Sequence, residues 1–288
     1  MNLTAYLELC KPKIVLMLGL TALVGMLLSI NFYTNTYSGI LSLIGFLFLA
    51  SSSAAFNQIF DKDIDKNMIR TKNRPIASGN LKLINALIFS ISLFVIGCLI
   101  LYVYSNNLTL MLTIFGFVFY SLIYTLFLKW KTPQNIVIGG FSGALPPLIG
   151  WTAVSNEISL MPIMLVMVIF LWTPPHFWPL AIHRIEDYRN QNVPMMPVVK
   201  GIKRTKIEMI IYAILLAIAS VIPYLYELTG ELYFFGTLLL NLFFVYLCID
   251  YLNDFKNKKS MKIFNFSVWY MFLFFVVTYA DFLIFIND

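Results

Sequence analysis

Residues 40–65 read ILSLIGFLFLASSSAAFNQIFDKDID. Twenty-one residues without a charge run directly into three aspartates, Asp61, Asp63 and Asp65. As a helix, about 20 apolar residues cross a hydrocarbon core about 30 Å thick, so the stretch predicts a membrane span ending in acid. Eight further windows share this character: residues 14–30, 83–104, 108–128, 136–154, 160–182, 209–226, 232–252 and 263–286. Seven of the nine hold no Asp, Glu, Lys or Arg, and the other two hold one acid each, Asp250 and Asp281. The runs are continuous rather than alternating, which predicts helices and not a β-barrel. Composition agrees: of 288 residues, 60% are apolar and only 12% charged, with mean hydropathy +0.81. A soluble domain carries about twice that share of charge, so lipid is the solvent for most of this chain. The expected fold is all-α and polytopic, nine transmembrane helices bundled around a central cavity in one domain, residues 1–288.

Charge placement orients the spans. All 20 Lys and Arg fall in the N-terminal segment or after spans two, four, six and eight. The opposite connections carry acids only, among them Glu157, Glu227 and Glu231. Basic residues stay cytoplasmic, so the N-terminus is expected in the cytoplasm and the C-terminus outside. The net charge of +6 therefore reads as topology, not as a nucleic-acid surface. The first run lacks a small-residue cleavage site, and no arginine precedes Arg70. That favours a retained span in the cell's inner (plasma) membrane over a cleaved leader or a mitochondrial transit peptide. Cys10, Cys98 and Cys248 have no metal-binding spacing and read as inert thiols. Two long connections, about 61–82 and 183–208, lie on the cytoplasmic side, where the cavity is expected to open. Long connections in compact folds usually carry function.

Asn57, Asp61 and Asp65 are spaced i, i+4, i+8, which stacks them on one helix face. Carboxylates in a row repel unless a cation sits between them. Magnesium joins one or two carboxylates to substrate phosphates, and Arg70, Lys72 and Arg74 follow as donors to anionic oxygens. The bland alternative is a solvated helix end with alternating charge. An EF-hand loop is excluded, because its glycine and distal glutamate are missing. The pattern points to a metal–diphosphate site with Mg2+ as cofactor.

The string N-x-x-x-D-x-x-x-D at Asn57, Asp61 and Asp65, followed by Met68-x-Arg70-Thr71-Lys72-Asn73-Arg74, resembles the first signature of the UbiA superfamily of intramembrane prenyltransferases. Within that superfamily it looks like the protohaem IX farnesyltransferase (haem O synthase) branch, whose members have nine transmembrane helices. Span six and the connection after it carry Pro175-His176-Phe177, then Arg184-Ile-Glu-Asp187-Tyr188, then Pro194-Met-Met-Pro197-Val198, similar to that branch's second signature. Asp187 matches its acid and takes a metal or diphosphate role by resemblance; Glu186 falls on a variable position. The second D-x-x-x-D of the wider superfamily is absent, since residue 191 is Gln191. The stretch from Tyr120 and Tyr124 through Lys129 to Trp151 is similar too, with Trp130 standing where the branch usually has arginine.

The resemblance implies transfer of farnesyl from farnesyl diphosphate to a vinyl group of protohaem IX, with addition of water, giving haem O and diphosphate. It implies haem-pathway or oxidase-assembly partners as well. Mg2+ would sit on Asn57, Asp61, Asp65 and Asp187, the four expected catalytic residues. Arg70, Lys72, Arg74, Lys129 and Arg184 would hold diphosphate. His176 is a candidate iron ligand, because imidazole is the usual haem partner; its plainer role is a hydrogen bond inside a helix. Tyr120 and Tyr124 share a face and could stabilise a cation, although tyrosine belts are common in membranes. Pro174-Pro175 is expected to break helical hydrogen bonding in span six. Gly139, Gly140, Gly143 and Gly150 are expected to permit close helix packing, and Asp250 to be an ordinary helix-end residue. Two other functions compete: a prenyltransferase acting on a quinone precursor or another tetrapyrrole, and a transporter. Transporters place polar groups at the midplane of repeated, broken helices, whereas these acids cluster at one membrane edge.

Overall fold

A computed structural model describes residues 3–285. It is helical throughout, with no strand among the described residues. In chain order the helices are α1 (Leu3–Leu9), α2 (Pro12–Leu27), α3 (Thr36–Phe60), α4 (Lys62–Asn67), α5 (Leu83–Tyr104), α6 (Asn107–Val118), then a π-helical segment (Phe119–Leu128) leading into α7 (Lys129–Lys131). There follow α8 (Asn135–Ala144), α9 (Pro146–Ser155), α10 (Leu160–His183), α11 (Ile185–Asn190), α12 (Met196–Val199), α13 (Ile202–Leu225), α14 (Glu231–Leu252) and α15 (Ser260–Phe285). Among the described residues, eight helices are long and apolar enough to cross a membrane, or nine if the bent pair α1–α2 counts as one span. Only 17% of the apolar window in Asn107–Lys131 and 22% of that in Leu83–Tyr104 is buried. Among the described residues nothing covers the remaining apolar surface of these two helices, as expected of helices facing lipid.

Four details differ from the sequence expectation. The first is a short helix, α1, that precedes the window 14–30 and meets α2 at a bend of 51°. Pro12 opens α2 without a backbone N–H, and Lys11 before it takes a left-handed φ of 51°. The second is in α10, which stays continuous from Leu160 to His183 although Pro174, Pro175 and Pro179, lacking an N–H, omit their helical hydrogen bonds as expected. Third, α13 starts at Ile202, seven residues before the apolar window, because Lys203, Arg204 and Lys206 are good helix formers that hydropathy discounts. Finally, the connections 61–82 and 183–208 are not bare loops, since they hold α4 and α11, α12 and the start of α13. Ile286, the last residue of the ninth window, lies outside the described residues.

Contacts divide the chain into two compact units. The first is Met1–Trp130 with Leu145–Ile158, and the second is Lys131–Ala144 with Ser159–Asp288. In the first unit, α2 and α9 touch backbone to backbone. A Cβ at Gly25 would lie 2.0 Å from the Pro147 carbonyl, and one at Gly150 only 1.8 Å from the Ala22 carbonyl. Glycine is thus required for this crossing. In the second unit Asp281 of α15 caps the start of α14, accepting from Gly230 N–H at 2.7 Å and Tyr233 N–H at 2.9 Å. This answers why an acid sits in the ninth window.

Gly150→Ala should lower the thermal midpoint in detergent, consistent with overpacking of about 1–3 kcal/mol. Gly143→Ala should not lower it: contrary to the close packing expected at Gly143, a Cβ there meets nothing within 4 Å, and alanine is the better helix former.

Candidate active site

The first unit gathers polar side chains along α3. Helical hydrogen bonds run on past its end, Asp61 N–H to Asn57 O at 3.0 Å and Asp65 N–H to Asp61 O at 2.9 Å. The i, i+4, i+8 register therefore survives the junction with α4. Asn57, Asp61 and Asp65 are 5%, 4% and 3% exposed. They are buried, not a solvated helix end. Asp63 behaves as the bland reading expects: it pairs with Lys66 at 3.8 Å and its side chain is 76% exposed.

The π-helical segment lies beside α3 in constant register. Ser53 meets Ser121 at 2.8 Å, Asn57 Nδ2 donates to Thr125 Oγ1 at 3.1 Å, and Lys129 Nζ lies 2.8 Å from Asp61 Oδ1. Each pair is 68 residues apart, so two parallel stripes with a four-residue step face each other. π-Helical turns often mark functional sites. This one also stacks Tyr120 on Tyr124, ring centroids 5.6 Å apart.

Proton inventory orients Asn57. The single proton of Thr125 goes to the Tyr120 carbonyl at 2.8 Å, so Thr125 Oγ1 must accept from the Asn57 amide nitrogen. That nitrogen also donates to Asp61 Oδ2 at 3.0 Å. Asn57 Oδ1 is left to face Lys11, whose Nζ donates to it. Arg74 holds both oxygens of Asp65, at 2.8 and 2.7 Å. Each of the three candidate ligands thus meets one basic side chain: Lys11, Lys129 or Arg74.

Lys11 reaches the site through the bend in the first span. Gln58, on α3, donates to the Glu8 and Leu9 carbonyls at 3.0 Å each, satisfying the frayed end of α1. Neither Lys11, Gln58 nor Thr125 stood out in the sequence as a site residue. The step Ser53-Asn57-Asp61 against Ser121-Thr125-Lys129 was the available signal. Arg70 and Lys72 do not join the cluster: both are exposed, and neither forms an ion pair among the described residues.

The residues of the second signature lie in the second unit. Asp187 and Arg184 line a pocket of about 250 Å³ with His183 and Glu186. Among the described residues, Arg184 Nε is buried without a hydrogen-bond partner. Glu186 pairs with Arg189 at 2.6 Å on the surface. Asp250 pairs with Lys259 at 2.6 Å, the helix-end role expected of it. His176 lies on α10, with its Nδ1 2.6 Å from the Ser267 hydroxyl.

The donor set of the first unit is one amide oxygen and two carboxylates, with no third acid. Among the described residues, no three His, Cys, Asp or Glu side chains come together. Such a set fits a hard divalent cation that takes its remaining ligands from phosphate or water, as magnesium does.

The UbiA prenyltransferase family model matches residues 18–276. The chain belongs to that family. It is 45% identical over 278 residues to protoheme IX farnesyltransferase 2 of Pseudoalteromonas atlantica, covering 96% of this chain and 90% of that protein. To protoheme IX farnesyltransferase of Colwellia psychrerythraea it is 44% identical, covering 97% and 92%. A solved structure of digeranylgeranylglyceryl phosphate synthase shares the fold with TM-score 0.82 at 22% identity, covering 97% of this chain and 98% of that one. A UbiA homologue from Archaeoglobus fulgidus, bound to DMAPP and Mg2+, gives TM-score 0.66 at 15% identity, covering 95% and 98%.

Lys129→Met removes the cation facing buried Asp61 and should cost about 3–5 kcal/mol, seen as a lower thermal midpoint in detergent. Adding Asp61→Asn to that variant should recover part of the loss.

Proposed function

We propose that this UbiA-family protein transfers the farnesyl group of farnesyl diphosphate to a vinyl group of protohaem IX, with addition of water, giving haem O and diphosphate. The observation that carries the reading is the buried row Asn57, Asp61, Asp65 faced by three bases. It occurs in a chain 45% identical, over nearly its whole length, to a protein named for this activity.

In the reaction the C1–O bond of farnesyl diphosphate breaks heterolytically, and the electron pair leaves with diphosphate. The vinyl π electrons then attack the allylic cation. Water captures the new cation beside the macrocycle and loses a proton. Lys11, Lys129 and Arg74 each already donate to an oxygen, and all three are suited to phosphate oxygens. When diphosphate enters, they can exchange a protein acceptor for a phosphate acceptor without leaving a charge unpaired. Thr125 keeps Asn57 Oδ1 turned to the site. Mg2+ held by Asn57, Asp61 and Asp65 would supply charge neutralisation for the leaving group.

Asp187 and Arg184 are proposed, on the strength of the second signature, to contact diphosphate or its metal. Tyr120 and Tyr124, as a stacked pair, are proposed to line the prenyl path. Arg70 and Lys72 would serve only as outer attraction for the anion. Segregation of the basic residues supports a site facing the cytoplasm, with the N-terminus on the same side.

Incubation with protohaem and farnesyl diphosphate should give a product whose mass matches hydroxyethylfarnesyl-substituted haem. EDTA should abolish it and added Mg2+ restore it. Asp61→Ala and Asp65→Ala should each lower transfer by about 100-fold or more while the protein still inserts in membranes. Near-normal transfer in both variants would remove the metal-site assignment.

A further inference from the structure

Trp172 and His176 sit one turn apart on α10, and both reach Ser267 on α15. Trp172 Nε1–H donates to the Ser267 carbonyl at 2.9 Å, and His176 Nδ1 lies 2.6 Å from the Ser267 hydroxyl. The imidazole is held between two rings: Trp172, with centroids 4.1 Å apart and 14° between planes, and Phe264, 4.9 Å away at 25°. Stacking covers both faces of the ring, and Ser267 occupies its Nδ1 edge. Among the described residues, Nε2 on the opposite edge has no hydrogen-bond partner.

The proton count at Ser267 sets the tautomer. Its one hydroxyl proton goes to the Phe264 carbonyl at 2.6 Å, a group that can only accept. Ser267 Oγ must therefore accept from His176 Nδ1–H. A neutral His176 then carries its proton on Nδ1 and its lone pair on Nε2, the form that binds a metal.

We infer that Ser267 is a positioning residue for the acceptor substrate: it fixes His176 so that Nε2 ligates the iron of protohaem. The inference rests on the reading that protohaem is the acceptor. An imidazole that donates its other N–H to an oxygen is a more basic ligand in a fixed orientation. Trp172 and Phe264 prevent the ring from turning about its own axis. Iron ligation at Nε2 would anchor the macrocycle through its metal and leave the vinyl carbons free to react. A histidine that merely staples α10 to α15 needs no free Nε2 and no particular tautomer.

The test is resonance Raman spectroscopy of purified protein loaded with ferrous protohaem, together with haem titration and product mass. The wild type should show an iron–histidine stretch that His176→Ala abolishes. Ser267→Ala should move the band to lower frequency and weaken haem binding about 10-fold, whereas Ser267→Thr, which keeps the hydroxyl, should restore both. If Ser267→Ala does not fold, Ser267→Cys offers a weaker acceptor and should move the band in the same direction. An unchanged band in the serine variant that folds overturns the positioning role. An unchanged haem spectrum in His176→Ala overturns iron ligation, while a haem O product from the wild type would still stand. Failure of the wild type to bind protohaem overturns the substrate reading and this inference with it.

Discussion

Asp61 and Asp65 are carboxylates withdrawn from water at the end of a membrane helix, and the site exists because Lys129 and Arg74 face them at 2.8 and 2.7 Å. An unpaired buried carboxylate costs several kcal/mol, and removing one partner of a buried pair costs about 3–5 kcal/mol. The surrounding structure meets this constraint in steps. Segment Phe119–Leu128 takes a π register and delivers Lys129 at its end. After α4 the chain turns so that Arg74 comes back over Asp65, and Thr71 donates to the Asp65 carbonyl at 3.1 Å. The first span breaks at Lys11–Pro12 and places a third base on Asn57.

Under the proposed function, the same pairing would make the site responsive to its ligand. A carboxylate that already has a cation offers a second cation little unless the first can move to another anion. Diphosphate is such an anion. Metal and diphosphate are therefore expected to enter together, with the basic side chains passing to the phosphate oxygens as the acids pass to the metal. On that reading, the hard-oxygen donor set and the adjacent bases would act as one electrostatic unit.

Two hydroxyls act alike in different parts of the fold. Thr125 and Ser267 each spend their only proton on a backbone carbonyl, so each can only accept from the side chain opposite. One fixes which way the Asn57 amide points, and the other fixes which nitrogen of His176 carries hydrogen. In both cases a residue of no apparent chemical interest decides the orientation of a neighbour that has some.

The stripe Asn57, Asp61, Asp65, the number and placement of apolar runs, and the confinement of every basic residue to alternate connections were all legible in the sequence, as was the family resemblance. These are local or additive properties, set by a repeat of about 3.6 residues per turn and by the cost of charge in lipid. Partner choice was not legible. Arg70 and Lys72 follow the acids within a few residues, yet the structure leaves them exposed and recruits Lys11 and Lys129 from remote helices. It keeps α10 continuous past Pro174 and Pro175, and sets a short helix at 51° ahead of the first apolar window. Which cation reaches a buried acid depends on how helices far apart in the chain pack against each other. That depends on contacts such as Gly25 on Pro147 and Gly150 on Ala22, which only the tertiary structure brings together.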